Sequence, residues 1–160
     1  LKEQNMKMRD FNFFKESLFL QERFVGGCLE SIYDIFDNSR YPDTISLCEK
    51  YNIFPSLEDW RGKILLLETS EEQPDPKHYR KMVETLKKVG VFDVVSGVIC
   101  GKPMNELYFD EYKKIIVDVI DNPNISVVAN INIGHATPRC IIPFGIEAEV
   151  DAVNQKIRFA

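Results

Sequence analysis

The chain has 160 residues, of which 44% are hydrophobic and 28% are charged, and its formal net charge at pH 7 is −5. This composition suits one globular domain, and the acidic balance disfavours a nucleic-acid partner, because binding phosphates requires a basic face. The sequence contains neither an apolar stretch of the roughly 20 residues that span a bilayer nor the apolar core of a signal peptide. We therefore expect a cytoplasmic protein with no membrane role.

The four cysteines (Cys28, Cys48, Cys100 and Cys140) are widely spaced, and no two of them form a C-x-x-C pair. This spacing predicts neither a zinc site nor a disulfide scaffold. Because each cysteine lies among apolar residues, we expect buried free thiols.

The N-terminal third of the chain predicts an extension followed by short helices. Residues 1–22 mix aromatic and charged side chains without a regular period, which is typical of a linker or N-terminal extension, and the missing initiator Met suggests part of a longer polypeptide. The glycine pair Gly26-Gly27 interrupts the chain before an amphipathic helix at 29–36. A second helical stretch follows at 43–51 and ends before the turn at residues 60–62.

From residue 63 onwards, buried strands alternate with helices. The continuous apolar run at 64–67 predicts a strand that is covered on both faces, and similar strands are predicted at 94–100 and 125–131. Amphipathic helices at 75–89 and 109–120 separate these strands. The alternating tail predicts a hairpin. This order predicts an α/β fold with a mixed sheet, parallel first strands and flanking helices.

Polar residues follow each of the three predicted strands, at the sheet edge where function gathers in open α/β folds. Glu68 follows the first strand, Lys102 the second and His135 the third. Glu68 and His135 could form a carboxylate–imidazole pair for proton transfer. From spacing alone, however, a structural His135 and a solvated Glu68 are the more common explanation. His78 lies on the polar side of its helix and is expected at the surface.

A nucleophile that would complete a catalytic triad is not evident in the sequence. No serine lies in a G-x-S-x-G elbow. Ser70 is close to Glu68 in the chain, but its acidic loop would not favour an alkoxide. Cys140 lies among Ile and Pro residues and is expected to pack. A metal-dependent hydrolase is disfavoured, because the chain has two distant histidines and no H-E-x-x-H.

Several segments of the chain follow, in order, the sequence motifs of one known protein family. WRGKILLLETSE at 60–71 is similar to the W-x-G-K-I-L-F-L-E-D-x-x-E segment of that family. FVGGCL at 24–29 resembles its glycine pair, and GVICGKP at 97–103 resembles its G-x-x-x-G-[KRH]-P strand end. NINIGHATP at 130–138 is similar to its N-x-N-x-G-H-T-x-P loop, with PFG at 143–145 as the following P-x-G. Through these motifs the chain resembles the family of LD-carboxypeptidases and microcin-immunity serine peptidases.

The resemblance implies the C-terminal, swivelling β/β/α-type domain of a serine carboxypeptidase, spanning residues 23–160. It implies a Ser-His-Glu triad in which Glu68 is the carboxylate and His135 the general base and acid. It also implies that Glu71, Lys102 and Asn132 bind substrate.

The nucleophilic serine is expected in an N-terminal domain that is absent from this chain, so the chain alone is expected to be inactive. The other expected partners are a small peptide substrate and a second copy in a homodimer, and no cofactor is expected. Substrates of the family are L,D-peptide bonds of murein peptides or microcin-type peptide–nucleotide linkages, and the choice between them stays open. Thr69 and Ala136 replace the usual Asp and Thr, which could shift substrate preference. The alternative is a peptide-binding module without activity.

Overall fold

The computed structural model describes residues 6–7, 12–13, 19–38 and 40–159. The strands are β1 (Met6–Lys7), β2 (Asn12–Phe13), β3 (Phe19–Cys28), β4 (Ile64–Glu68), β5 (Gly97–Gly101), β6 (Ser126–Ile131), β7 (Glu147–Asp151) and β8 (Lys156–Phe159). The α-helices are α1 (Leu29–Asp37), α2 (Thr44–Tyr51), α3 (Leu57–Trp60), α4 (Pro76–Val89) and α5 (Phe109–Ile120). Within these described ranges, no helix has both the length and the apolar character that crossing a membrane requires.

The strands form one mixed sheet in the order β1-β8-β7-β3-β4-β5-β6-β2. Strands β3 to β6 are parallel, whereas β7 and β8 form an antiparallel hairpin that pairs with β3. Helices α4 and α5 connect successive parallel strands, which cannot be joined by a tight turn. The predicted α/β fold, with a mixed sheet and a terminal hairpin, is confirmed.

The side chains of β4 point alternately to the two faces of the sheet, and each face has its own part of the core. Leu65 and Leu67 pack in a cluster with side chains of α1, α4 and α5. Ile64 and Leu66 belong to a second cluster, which includes side chains of the β7–β8 hairpin. Because successive side chains of a strand point to opposite faces, the continuous apolar run fits a strand that is covered on both sides.

Strand β3 (Phe19–Cys28) is not predicted by the sequence pattern, and it contains the glycine pair. The pattern treats Gly26 and Gly27 as an interruption, but β3 continues through both residues and pairs with β4 on one side and β7 on the other. A Cβ at Gly26, where φ is 115°, would lie 2.1 Å from the carbonyl oxygen of Leu66. Glycine therefore allows the close approach of two strands here. The predicted boundary between residues 22 and 23 falls inside β3, and residues 1–5, 8–11 and 14–18 lie outside the described residues.

The strand predicted from residue 94 begins at Gly97 instead. Residues Val91–Asp93 form a 3-10 turn, and the N–H groups of Val94 and Val95 both donate to the carbonyl of Val91, at 3.2 and 3.3 Å. Val95 is nevertheless buried. An apolar run alone does not distinguish a buried turn from a buried strand.

Helix α2 forms where the sequence predicts it, but none of its residues is buried. Exposed apolar side chains on and around this helix are Tyr41, Ile45, Leu47, Tyr51 and Ile53. Apolar surface of this kind favours association, and a homodimer stays a prediction.

The cysteines are free thiols, as the sequence predicts, but their burial differs from the expectation. Cys100 is buried in β5, whereas Cys28, Cys48 and Cys140 are partly exposed. Burial of Cys100 raises the pKa of its thiol to about 12, so this group stays protonated and unreactive near neutral pH.

Candidate active site

The carboxyl ends of the parallel strands meet at one edge of the sheet. Leu67 of β4 pairs with Cys100 of β5, and Gly101 of β5 pairs with Ile131 of β6. The residues that follow each pair are therefore brought to the same edge. The sequence predicts this convergence, and the strand register produces it.

Glu68 and His135 are in direct contact at this edge. The Nδ1 atom of His135 lies 2.8 Å from Oε2 of Glu68, and the backbone N–H of His135 donates to the same oxygen at 3.2 Å. Because a carboxylate only accepts, Nδ1 carries a proton in this arrangement. The contact fixes both the tautomer and the orientation of the ring, and it leaves Nε2 as the atom that faces other groups.

The Glu68 side chain fits a slot between two glycines. A Cβ at Gly101 would lie 2.9 Å from Cβ of Glu68, and a Cβ at Gly134 would lie 2.1 Å from its Oε2. Gly134 also has a φ of 73°, in the left-handed region. Glycine at position 134 therefore both permits the turn before His135 and leaves room for the carboxylate. The side chain of Glu68 is only 10% exposed in this slot.

The carboxylates around His135 favour the protonated ring. The hydrogen bond with Glu68 is the main cause that raises the pKa of His135 above its ordinary value, while partial burial acts in the opposite direction. The negative charges of Glu68 and Glu71 add to the increase, and Arg139 opposes it. The imidazolium is consequently stabilised, as a proton-transfer step requires of its base.

Glu71 contacts the second nitrogen of the same ring. Its Oε2 lies 3.1 Å from Nε2 of His135, and its side chain is 67% exposed. His135 therefore lies between two carboxylates, one confined and one open to solvent. The sequence predicts Glu71 as a substrate-binding residue, and the structure brings it to the imidazole.

Lys102 and Asn132 lie at the same edge, with other partners. The ammonium of Lys102 pairs with the exposed Glu106 at 3.1 Å, and its backbone N–H donates to Ile131 at 2.7 Å. The backbone carbonyl of Asn132 accepts from the N–H of Cys140, also at 2.7 Å. Both contacts hold the loops around His135, and the substrate-binding roles of the two side chains stay predictions.

The hydroxyl of Ser70 is engaged by a buried residue that the sequence analysis missed. Glu30, in the first turn of α1, accepts from both the N–H and the Oγ of Ser70 at 2.8 Å. The same Oγ accepts from the N–H of Glu72 at 3.2 Å. These bonds assign Ser70 a structural role. The available signal for Glu30 was a charged residue three positions after the glycine pair, in an otherwise apolar stretch.

The two positions that depart from the family pattern are both buried. Thr69 is 5% exposed and Ala136 is 2% exposed. Each directly follows one member of the Glu68–His135 pair, so neither substitution removes the contact. His78 is exposed, as the sequence predicts, and packs edge-on against Tyr33.

Comparison with known proteins shows that this α/β chain is a domain of a peptidase family. The model of the LD-carboxypeptidase C-terminal domain matches residues 21–150. The chain therefore belongs to the LD-carboxypeptidase family, as the sequence motifs indicate. The search of curated proteins finds no match.

Solved structures with the same fold include an MccF-like protein from Streptococcus pneumoniae in complex with AMP. It is 53% identical to this chain, with a TM-score of 0.90 over 95% of this chain and 44% of that one. MccF in complex with glutamyl sulfamoyl guanosine is 21% identical, with a TM-score of 0.69 over 94% of this chain and 41% of that one. An MccF-like protein from Bacillus anthracis is 19% identical, with a TM-score of 0.70 over 93% and 42%. The chain thus spans less than half the length of these structures, and the two more distant ones share its fold.

Proposed function

We propose that the complete protein is a serine-type carboxypeptidase and that this chain supplies Glu68 and His135 to a Ser-His-Glu triad. The observation that carries the proposal is the 2.8 Å contact between Nδ1 of His135 and the confined Glu68 carboxylate. A buried carboxylate that fixes an imidazole is the arrangement with which triads prepare a general base. The nucleophilic serine and the oxyanion donors would come from outside this domain.

In this mechanism Nε2 of His135 takes the proton of the serine hydroxyl as the serine attacks the scissile carbonyl. Glu68 stabilises the resulting imidazolium without itself accepting the proton. Nε2 then returns the proton to the leaving group. The raised pKa of His135 supports this role, because the protonated ring is an intermediate of the cycle.

Glu71 occupies the position that the serine hydroxyl must reach. Its carboxylate lies 3.1 Å from Nε2, but its exposed side chain can swing away with little loss of packing. A carboxylate released there would accept hydrogen bonds from an ammonium group. We therefore assign Glu71 to binding the cationic end of a substrate, which would draw it away from Nε2.

The substrate class is a small peptide or aminoacyl conjugate with a free carboxylate or ammonium near the cleaved bond. AMP is bound to the relative from Streptococcus pneumoniae, and glutamyl sulfamoyl guanosine is bound to MccF. Both ligands favour the aminoacyl–nucleotide branch over murein peptides. Lys102 can exchange the exposed Glu106 for a substrate carboxylate. Asn132 directly follows Ile131, whose carbonyl accepts the backbone N–H of Lys102.

The proposal is tested by incubating the complete gene product with an L,D-linked tetrapeptide and with glutamyl sulfamoyl adenosine. Hydrolysis of at least one compound is expected, with the second preferred. The matched control is the same compound with its α-amino group acetylated, which should bind less well if Glu71 recognises the ammonium. Binding without hydrolysis of either compound would reject the peptidase and favour the peptide-binding module.

A further inference from the structure

Glu30 is a charged residue in the core-facing first turn of α1. It is 9% exposed, although its neighbour Leu29 belongs to the main apolar cluster. A buried carboxylate is costly unless it is fully hydrogen-bonded. Its partners therefore indicate what the residue does.

The partners of Glu30 lie in the turn that follows β4. Oε1 accepts two hydrogen bonds at 2.8 Å, one from the N–H of Ser70 and one from its Oγ. Oε2 lies 3.5 Å from the Sγ of Cys28, which donates to it. Because Glu30 bonds to both the backbone and the hydroxyl of Ser70, it fixes the position of the whole residue.

Ser70 in turn organises the residues around it. Its Oγ accepts from the N–H of Glu72 at 3.2 Å, and its carbonyl accepts from the N–H of Gln73 at 3.3 Å. The Gln73 side chain donates to the carbonyl of Met104 at 3.0 Å, which anchors the other end of the turn. Glu71 lies between these anchored residues and contacts Nε2 of His135.

We propose that Glu30 is a positioning residue that, through Ser70, holds Glu71 against Nε2 of His135. This role rests on the proposed function, in which the Glu71 carboxylate leaves Nε2 of His135 and binds the substrate. An exposed side chain such as that of Glu71 keeps one position only if its backbone is fixed. Glu30 supplies that fixation through its two hydrogen bonds with Ser70.

The charged groups that act on His135 are Glu68 at the end of β4, Glu71 in the turn, and Arg139 in the loop that follows. Loosening the turn should weaken the contribution of Glu71 and leave the other two in place. The pKa of His135 thus reports where the Glu71 carboxylate lies. A merely structural role of Glu30 would lower stability without changing this pKa.

Two substitutions separate the contact of Glu30 from its charge. Glu30→Asp keeps the charge but withdraws the carboxylate by one methylene, so the bonds to Ser70 are lost. Glu30→Gln removes the charge but keeps an amide oxygen that can accept both bonds. We expect Glu30→Asp to lower the pKa of His135 and Glu30→Gln to leave it close to the wild-type value.

The titration uses histidine labelled with 13C in the complete protein, and the His135 signal is assigned by its loss in His135→Asn. Glu71→Gln gives the pKa of His135 without the Glu71 charge. Adding Glu30→Asp to Glu71→Gln should change this pKa little further, because the effects of coupled residues are not additive. With an aminoacyl–nucleotide substrate, Glu30→Asp should raise KM several-fold more than it lowers kcat.

An unchanged pKa in Glu30→Asp, or an equal fall in Glu30→Gln, would overturn the proposal. Additive effects of Glu30→Asp and Glu71→Gln would overturn it as well. The titration needs no turnover, so it decides the role of Glu30 even if the peptidase assignment fails. If Glu30→Asp does not fold, Ser70→Ala removes the hydroxyl bridge and should lower the pKa in the same direction.

Discussion

Gly134 offers a test of the Glu68–His135 pair that changes neither residue. An alanine Cβ at this position would lie 2.1 Å from Oε2, 2.6 Å from Cδ and 2.7 Å from Cγ of Glu68. The three atoms belong to a side chain that is only 10% exposed, so the Glu68 carboxylate has little room to move within its slot. We expect Gly134→Ala to force the carboxylate away from His135. Gly62 is the matched control, because it has the same φ of 73° and nothing within 4 Å of its Cβ position.

Both substitutions destabilise the backbone, and only Gly134→Ala also disrupts a contact between side chains. Placing alanine in the left-handed region costs about 1–2 kcal/mol at either position. Gly134→Ala also breaks the hydrogen bonds of Glu68 with His135, and bonds to a charged group contribute about 1.5–3 kcal/mol. Since the His135 side chain is 36% exposed, solvent screening keeps this contribution at the lower end. We therefore expect Gly134→Ala to destabilise the chain by about 1.5 kcal/mol more than Gly62→Ala.

Urea unfolding of the 160-residue chain measures this difference, and an NMR titration of His135 measures the broken contact. In Gly134→Ala the pKa of His135 should fall from its raised value, whereas in Gly62→Ala it should not change. Equal stabilities of the two variants, together with an unchanged His135 pKa in both, would contradict this prediction. That result would mean that Glu68 has another way to reach the imidazole.

Three further predictions concern the pair, a thiol and the core. The raised pKa of His135 contributes stability that is complete below its unfolded value of about 6.5 and is lost as pH rises through the higher folded value. Glu68→Gln should therefore flatten the fall in unfolding free energy above about pH 6.5, and an unchanged slope would contradict the assignment. Cys100 should resist iodoacetamide at pH 8 in the native chain and react in urea, as mass spectrometry of the labelled peptides would report. Leu86→Ala, at a fully buried site, should cost about 2–5 kcal/mol in urea unfolding. Leu47→Ala, at a site that is 40% exposed, should cost less than about 1 kcal/mol, and similar losses would contradict the assignment of the core.

The sequence predicts the part of the fold that local pattern determines. Helix α4 is bounded by signals that act on the backbone, since Asp75 caps the first turn by accepting from the N–H of His78 at 2.8 Å and Gly90 ends the helix in the left-handed region. The strands at 64–68 and 126–131 are apolar on both faces, and few other structures tolerate that. The sequence pattern does not predict β3, because glycine is locally typical of turns. Glycine is needed inside this strand because β4 approaches it closely, and a local pattern does not show that approach.

The candidate site was predictable only in part. The sequence places Glu68 and His135 at strand ends, and parallel pairing then brings those ends together. The contact of Glu71 with Nε2 and the bond of Glu30 to Ser70 depend on the path of a four-residue turn, which no periodicity encodes. Glu30 in particular looks like an ordinary acidic residue near a helix N-terminus, and its burial becomes visible only when α1 packs beneath the turn.

The proposed function makes His135 the general base of a peptidase. Its most direct test is the rate at which the complete gene product hydrolyses its better substrate, measured for wild type, His135→Ala and His78→Ala. His78 is the chain's other histidine and is exposed on α4. We predict a loss of about 10⁴-fold in kcat for His135→Ala and a nearly wild-type rate for His78→Ala. Equal rates for the two variants would contradict it.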